Sequence, residues 1–183
     1  DFDGHLTLSK SIKKIEGTTF CDCKFQGELV IPKSVQIVGD SAFQYNSFSS
    51  VIIEDGSELV KIETSAFGSN SRLSEPVVLP EGLMTIGENA FAGCSNIPAV
   101  TIPSTVTTIG SSAFTNCYYI TSFRCDATMP PVVGSGAFDG VGKDNLTLQV
   151  PEQSVPLYQT ANGWADFKRI SPYYDFSISR KHI

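Results

Sequence analysis

The chain has 183 residues, of which 41% are hydrophobic and 17% charged, and its formal net charge is −6. Abundant glycine, proline, serine and threonine indicate a globular domain with many turns and argue against a mainly helical protein. The negative charge excludes nucleic acid or an anionic membrane as a partner, since both need a basic surface, and no apolar run is long enough for membrane insertion.

A phrase built around an Ala-Phe pair recurs along the chain at intervals of 23 or 24 residues. Its six phenylalanines are Phe20, Phe43, Phe67, Phe91, Phe114 and Phe138, and the first copy has Thr19 in place of alanine. An aliphatic residue stands five positions before each phenylalanine, and in four copies a glycine follows it: Gly39, Gly87, Gly110 and Gly134. A phrase with a fixed period describes the building unit of a fold, so we predict a repeat architecture of six copies.

Between the phenylalanines the copies carry short β-rich runs, often closed by proline. In chain order these are HLTLS (5–9), ELVIP (28–32), SVIIE (50–54), PVVLP (76–80), AVTIP (99–103), SFRCD (122–126) and LTLQVP (146–151). One unit cannot bury its own apolar side, whereas stacked copies bury a continuous core. We therefore predict seven strands stacked in parallel.

Alternation along these strands places one row of side chains on the outer face. That row consists of Thr7, Val30, Ile52, Val78, Thr101, Arg124 and Gln149. Its three adjacent aliphatic members predict a protein-binding strip, because contiguous exposed apolar surface marks interaction sites. The alternative is β-propensity alone, since β-branched residues also suit strands that face solvent. Aromatic residues at 45, 48, 118 and 119 are further candidates if they are exposed.

Three residues after the phenylalanine, five copies carry cysteine or asparagine: Cys23, Asn46, Asn70, Cys94 and Cys117. An asparagine amide can pair buried backbone groups, and a thiol is small and weakly polar. We predict that the three cysteines are core thiols. A metal site is disfavoured, because equivalent positions in separate layers do not converge on one ion.

Candidate catalytic groups are sparse. The two histidines, His5 and His182, lie near the ends of the chain, so the repeats contain no base for a Ser-His-Asp or Cys-His arrangement. We predict a protein that is not an enzyme and has no cofactor. The acidic corner Glu54, Asp55 and Glu58 leaves two interpretations open, a calcium site or a solvated turn around Gly56.

The phrase Ile-Gly-x-x-Ala-Phe-x-x-Cys, at Ile86–Cys94 and again at Ile109–Cys117, resembles the BspA-type leucine-rich repeat of bacterial surface proteins. The resemblance covers about Leu6 to Pro151. It implies a leucine-rich-repeat solenoid, a right-handed α/β superhelix with one parallel sheet face of about seven short strands and short helical or 3-10 turns on the other face. The following segment is similar to the end of such arrays, where Tyr158, Trp164, Phe167 and Ile170 would cover the last layer.

The predicted organisation is an array over residues 1–150, a C-terminal cap over 151–170 and a tail over 171–183 for which an extra strand is one interpretation. The family resemblance implies a secreted or cell-surface location, especially in Bacteroidetes such as Bacteroides, and roles in adhesion. No signal segment opens the sequence at Asp1, so we expect any export signal or lipid anchor to lie outside it. We predict a non-enzymatic extracellular module that binds a host protein or glycan; the alternative is a structural spacer within a larger surface protein.

Overall fold

The computed structural model describes residues 4–173 as a parallel β-solenoid with two strands in each repeat. The first strand of each copy is two residues long: β1 Lys14–Ile15, β3 Ile37–Val38, β5 Lys61–Ile62, β7 Thr85–Ile86, β9 Thr108–Ile109 and β11 Val132–Val133. The second strands are β2 Gln26–Ile31, β4 Ser47–Ile53, β6 Val77–Val78, β8 Ala99–Ile102, β10 Ser122–Cys125 and β12 Thr147–Val150, and β13 Arg169–Pro172 follows them. A 3-10 turn, Glu152–Ser154, leads into the short helix α1, Val155–Tyr158.

The two-residue strands form one continuous parallel sheet in the order β1-β3-β5-β7-β9-β11. Equivalent residues pair from copy to copy, as Ile62 does with Ile86 and Ile86 with Ile109. Each copy thus advances the solenoid by one strand spacing, about 4.8 Å. This second sheet was not among the predicted strands.

The phenylalanines of the six copies form a ladder through the core. Successive rings are nearly parallel, with centroids 5.2 Å apart between Phe67 and Phe91 and 6.1 Å apart between Phe114 and Phe138. All six except Phe20 are buried. Full burial of such a ring contributes about 1.5–3 kcal/mol, so the ladder is a major source of stability.

Each phenylalanine lies in a tight turn of the 3-10 type expected for this face. In the second copy Ala42 N donates to Gly39 O at 3.1 Å, and Gln44 N donates to Ser41 O at 3.2 Å. The residues two positions before and two after the phenylalanine are left-handed, with φ of 54° at Ser41 and 59° at Tyr45. A left-handed residue on each side of the phenylalanine therefore curls the chain into a compact hook.

The glycine that follows the aliphatic residue allows neighbouring copies to approach closely. A Cβ on Gly110 would lie 2.4 Å from the backbone nitrogen of Glu88, and one on Gly134 would lie 2.3 Å from that of Ser111. Side-chain carbons do not approach backbone atoms so closely, so any other residue would push the layers apart.

The first copy departs from the predicted strand pattern. Residues 5–9, the HLTLS run, do not form a strand, although the preceding Gly4 accepts a hydrogen bond from Gln26 N at 2.6 Å. The second strands of the six copies, together with β13, are called the long strand row. Its seventh strand is therefore β13, at the other end of the solenoid.

The prediction that Cys23 is a core thiol is wrong, because its side chain is exposed. The two buried thiols at this position each reach back one copy: Cys94 Sγ donates to Phe67 O at 3.2 Å, and Cys117 Sγ donates to Phe91 O at 3.3 Å. Cys23 belongs to the first copy and has no earlier layer to pack against. The thiol therefore faces solvent and contacts the backbone oxygen of Cys21 at 3.4 Å.

The last layer is covered by aromatic residues that follow the array. Tyr158 and Trp164 are fully buried, and Phe167 is nearly so. Tyr158 Oη donates to Ala127 O at 2.8 Å, and Trp164 Nε1 donates to Pro131 O at 2.9 Å. Both polar groups of these large side chains are thereby satisfied, as buried tyrosine and tryptophan require.

The end of the described chain pairs with the array. Strand β13 runs parallel to β12, with Leu148 opposite Ile170, which is half-buried. The division at 150, 170 and 183 stays a prediction; β13 lies across the boundary between cap and tail, and most of the tail lies outside the described residues. Within residues 4–173 no helix has the length and apolar character needed to cross a membrane.

Candidate binding face

Six of the seven predicted outward residues lie in the second strands of the copies, whereas Thr7 lies in the HLTLS run, which forms no strand. Their pairings run from Val30 to Ile52, and from Val78 through Thr101 and Arg124 to Gln149. Ile52 and Val78 are 44% and 60% exposed, and the other four are half-buried. The structure thus arranges these six residues in two paired sets on separate sheets, and the role of the predicted row in binding stays a prediction.

This row is interrupted between β4 and β6. Strands β2 and β4 form a separate two-stranded sheet, whereas β6, β8, β10, β12 and β13 form a five-stranded one. Ser74 N donates to Ser49 O at 3.0 Å, but no pairing of β4 with β6 follows within the described chain. Pro76, directly before β6, has no N–H to donate, and β4 carries a register shift opposite Gly27 and Glu28.

Two depressions open along the interruption and share Val51, Ile52 and Pro76 in their walls; together they are called the β4–β6 cleft here. The first, of about 460 Å³, extends past Val78 to Glu54, Asp55 and Glu81. The second, of about 500 Å³, extends in the other direction to Glu28, Ser50 and Glu75. The cleft therefore has an apolar middle and acidic ends.

Val30 belongs to a neighbouring depression. That depression has a volume of about 380 Å³, shares Glu28 and Glu54 with the cleft and also includes Lys10. Of the predicted aliphatic strip, only Ile52 and Val78 are therefore brought together in one cavity.

Two carboxylates of the acidic corner have hydrogen-bond partners in preceding copies. Glu58 Oε2 receives hydrogen bonds from Lys13 Nζ at 2.9 Å and Gln36 Nε2 at 3.0 Å, and the Lys13 bond is the main cause of its lowered pKa. Glu54 Oε2 accepts from Lys33 N at 3.0 Å. Among residues 4–173 no group of three His, Cys, Asp or Glu side chains is placed to hold an ion, so the solvated-turn interpretation fits this corner better.

Arg124, next to the last residue of the outward row, is covered by the ring of Tyr173. The guanidinium of Arg124 lies 3.8 Å from the centroid of the Tyr173 ring, and its Nε donates to Asp126 Oδ1 at 2.5 Å. The Asp126 bond raises the pKa of Arg124. Arg124 is thus already paired within the chain and is less available to a ligand than Ile52 or Val78.

The remaining aromatic candidates differ in their exposure to solvent. Tyr45, Tyr118 and Tyr119 are 54%, 59% and 66% exposed, whereas Phe48 belongs to the core. The tyrosines lie in or beside the hook turns and not on the long strand row.

The buried thiols are not arranged as nucleophiles. Burial raises the pKa of Cys117 to about 12 and that of Cys125 to about 11, and it also raises the pKa of Cys94. The five cysteines are free of disulfides. Since the thiolate is the reactive species, these three side chains stay protonated and unreactive at neutral pH.

Sequence reasoning missed several residues that shape the cleft, namely Glu28, Glu75, Pro76 and Glu81. Pro76 carried a usable signal, because a proline at the start of a β-rich run cannot donate to a neighbouring strand. The register shift in β4 had no comparable signal.

The comparisons with known proteins concern the repeat. The model of the BspA type leucine rich repeat region matches residues 4–121 and 60–148, with six copies. No curated protein matches the chain.

Three solved structures are similar in parts. A leucine rich cell surface protein from Faecalibacterium prausnitzii A2-165 aligns at 20% identity over 83% of this chain and 63% of its own, with a TM-score of 0.39. Leucine-rich repeat proteins from Bacteroides ovatus ATCC 8483 and Eubacterium ventriosum ATCC 27560 align at 14% and 15% identity, with TM-scores of 0.34 and 0.32; the alignments cover 93% and 92% of this chain and 66% of each of theirs. The chain spans less than two thirds of the length of each of these three structures. Because the repeat model covers residues 4–148, the chain belongs to the BspA-type leucine-rich repeat family.

Proposed function

We propose that this chain is a non-enzymatic interaction module that binds a protein or glycan ligand through the outer face of its long strand row. The observation that carries the proposal is the β4–β6 cleft, where Ile52 and Val78 expose apolar surface in a concave site. Exposed apolar surface rimmed by polar residues marks interaction sites and ligand-binding grooves. A solenoid also holds such a surface rigidly, which lowers the entropic cost of binding.

We place this module outside the cell, secreted or at the bacterial surface, on the basis of its family, and adhesion to a host protein or glycan is the role proposed for it. The alternative is a spacer that separates other parts of a longer protein. Half-buried polar residues such as Thr101 and Gln149 continue the row beyond the cleft, which is the feature that favours a spacer.

The test is capture of purified extracellular-matrix proteins and arrayed glycans by the chain and by an Ile52→Lys, Val78→Lys double variant. Lysines in the cleft remove its apolar surface, so we expect capture to fall by about tenfold or more, a change of about 1.4 kcal/mol or more in binding free energy. Val132→Lys is the matched control, because Val132 is 73% exposed and lies on the other sheet.

Circular dichroism and thermal unfolding establish that each variant is folded. Capture that is equal in the folded double variant and the unaltered chain would exclude this face. A complete absence of capture across both arrays would favour the spacer.

A further inference from the structure

The β4–β6 cleft carries charge of one sign only. Its walls include the carboxylates Glu28, Glu54, Asp55, Glu75 and Glu81, and no lysine or arginine is among the described residues that line it. An apolar cavity bordered by one sign of charge selects its partner by both shape and potential.

Several of these carboxylates are available to a partner. Asp55 and Glu75 are exposed and have no hydrogen-bond or ion-pair partner within residues 4–173. Glu81 has a structural role, since its carboxylate accepts from Ser104 N at 3.1 Å and from Ser104 Oγ at 2.9 Å. Its carboxylate is also part of the acidic lining of the cleft.

The carboxylates fall into two groups on either side of the apolar middle. Glu28, opposite Ser50 in the β2–β4 pair, and Glu75 border one depression, whereas Glu54, Asp55 and Glu81 border the other. From Ser50 to Glu54 is four residues along an extended chain, or roughly 13 Å. Ile52 lies midway between them.

We propose that the cleft binds an extended polypeptide segment in which an apolar side chain is flanked on both sides by lysine or arginine. This inference rests on the proposed function and names the partner chemistry of the same site. The apolar side chain contacts Ile52, Pro76 and Val78, and the flanking cations pair with the two acidic groups. Basic residues about four positions apart match the separation of those groups. Acidic glycans and acidic peptides are repelled by the same carboxylates.

The probe is a fluorescein-labelled synthetic peptide in which lysine and threonine alternate around a central isoleucine. Its matched control replaces every lysine with glutamate. We expect the fluorescence anisotropy of the lysine peptide to rise to saturation as protein is added at low ionic strength. The glutamate peptide should bind at least tenfold more weakly, and binding of the lysine peptide should weaken as salt is added. Equal binding of the two peptides would overturn the proposal.

The charge requirement is tested separately from the fold. The double variant Asp55→Asn, Glu75→Gln removes two exposed carboxylates from the cleft, and we expect about three- to tenfold weaker binding of the lysine peptide. Asp144→Asn, Glu152→Gln makes the same change in net charge at exposed residues outside the cleft and should leave binding unchanged. Equal losses in the two double variants would show a non-specific charge effect and contradict the proposal.

The failure of this inference can be told from failure of the proposed function. Capture of a glycan or an acidic protein that depends on Ile52 and Val78, without binding of the lysine peptide, overturns the cationic partner and leaves the binding face intact. Self-association that the Asp55→Asn, Glu75→Gln variant abolishes would replace the peptide with a second copy of this chain and also overturn the inference.

Discussion

At the scale of single residues, the position three after the phenylalanine links one copy to the copy before it. Asn70 Nδ2 donates to Phe43 O at 2.9 Å, as Cys94 Sγ does to Phe67 O. Asparagine and cysteine are interchangeable here because each supplies a donor aimed at the same backbone oxygen of the previous copy. They differ in that asparagine also carries an amide oxygen, which needs a hydrogen-bond donor of its own when it is buried.

Asn70 and Asn46 should respond differently to replacement by cysteine. Asn46 Oδ1 accepts from Phe25 N at 2.9 Å, whereas Asn70 Oδ1 is buried without a hydrogen-bond partner among the described residues. Asn46→Cys therefore removes the acceptor of this part-buried backbone bond and should cost about 1–3 kcal/mol. Asn70→Cys removes an unpaired acceptor and should change stability by less than about 1 kcal/mol. Urea unfolding under reducing conditions measures both, and equal losses would refute the distinction.

The buried thiols predict a loss of stability in alkali. A thiol has an ordinary pKa of 9.0, and burial raises that of Cys117 to about 12. Between these values the unfolded chain loses the proton and the folded chain keeps it, so the contribution is complete below pH 9 and is lost as pH rises towards 12. Each such thiol should lower the free energy of unfolding by about 1.4 kcal/mol for every pH unit in this window. Urea unfolding from pH 8 to 10.5 measures the slope, which Cys117→Ala should reduce; an unchanged slope would assign the loss to other groups.

At the scale of elements, the hook turns and the phenylalanine ladder form one unit. The turns place each ring next to and nearly parallel with the ring of the previous copy. The corner glycines allow the layers to approach closely enough for these rings to contact each other. A ring in the middle of the ladder has neighbours on both sides. Among the described residues, the Phe20 ring of the first copy stacks on Phe43 alone and packs edge-on against Phe25.

The loss of stability caused by a Phe→Ala substitution should therefore depend on the position of the phenylalanine in the ladder. Phe91 is fully buried between Phe67 and Phe114, so Phe91→Ala should cost about 3–5 kcal/mol. Phe20 is half-buried at the end, and Phe20→Ala should cost less than half as much. Chemical denaturation with two spectroscopic probes measures both changes. Equal costs would mean that the ladder does not stack as described.

The sequence predicted the elements that depend on periodicity and missed those that depend on register. Alternation places Thr101 and Gln149 on the outer face, and the residues that follow them, Ile102 and Val150, are fully buried. The two-residue strands were missed because alternation is not visible over two residues. The interruption beside Pro76 depends on how β4 shifts relative to β2, which is a property of paired strands and not of either strand alone. For the same reason the row of Ile52 and Val78 was predicted, but the acidic cleft around it was not.

At the scale of the whole molecule, the two ends of the described solenoid differ. Trp164 and Tyr158 close the C-terminal end with buried rings and satisfied polar groups. At the other end Phe20 and Phe25 remain half-buried. In a repeat protein each copy is stabilised mainly by its neighbours, so an end copy with fewer contacts opens more readily.

Native-state hydrogen exchange should reveal this asymmetry. We expect amides of β2 and β4 to exchange through a partial opening that leaves β8 and β10 protected, because the long strand row is interrupted between β4 and β6. Protection in β2 should be at least tenfold lower than in β10, a difference of about 1.4 kcal/mol. Trp164→Ala is the control from the opposite end: it should lower protection in β12 and β13 and leave protection in β2 and β4 unchanged. Uniform protection from β2 to β12 would mean that the continuous β1-to-β11 sheet alone makes the solenoid one cooperative unit, and that the interruption affects only the surface.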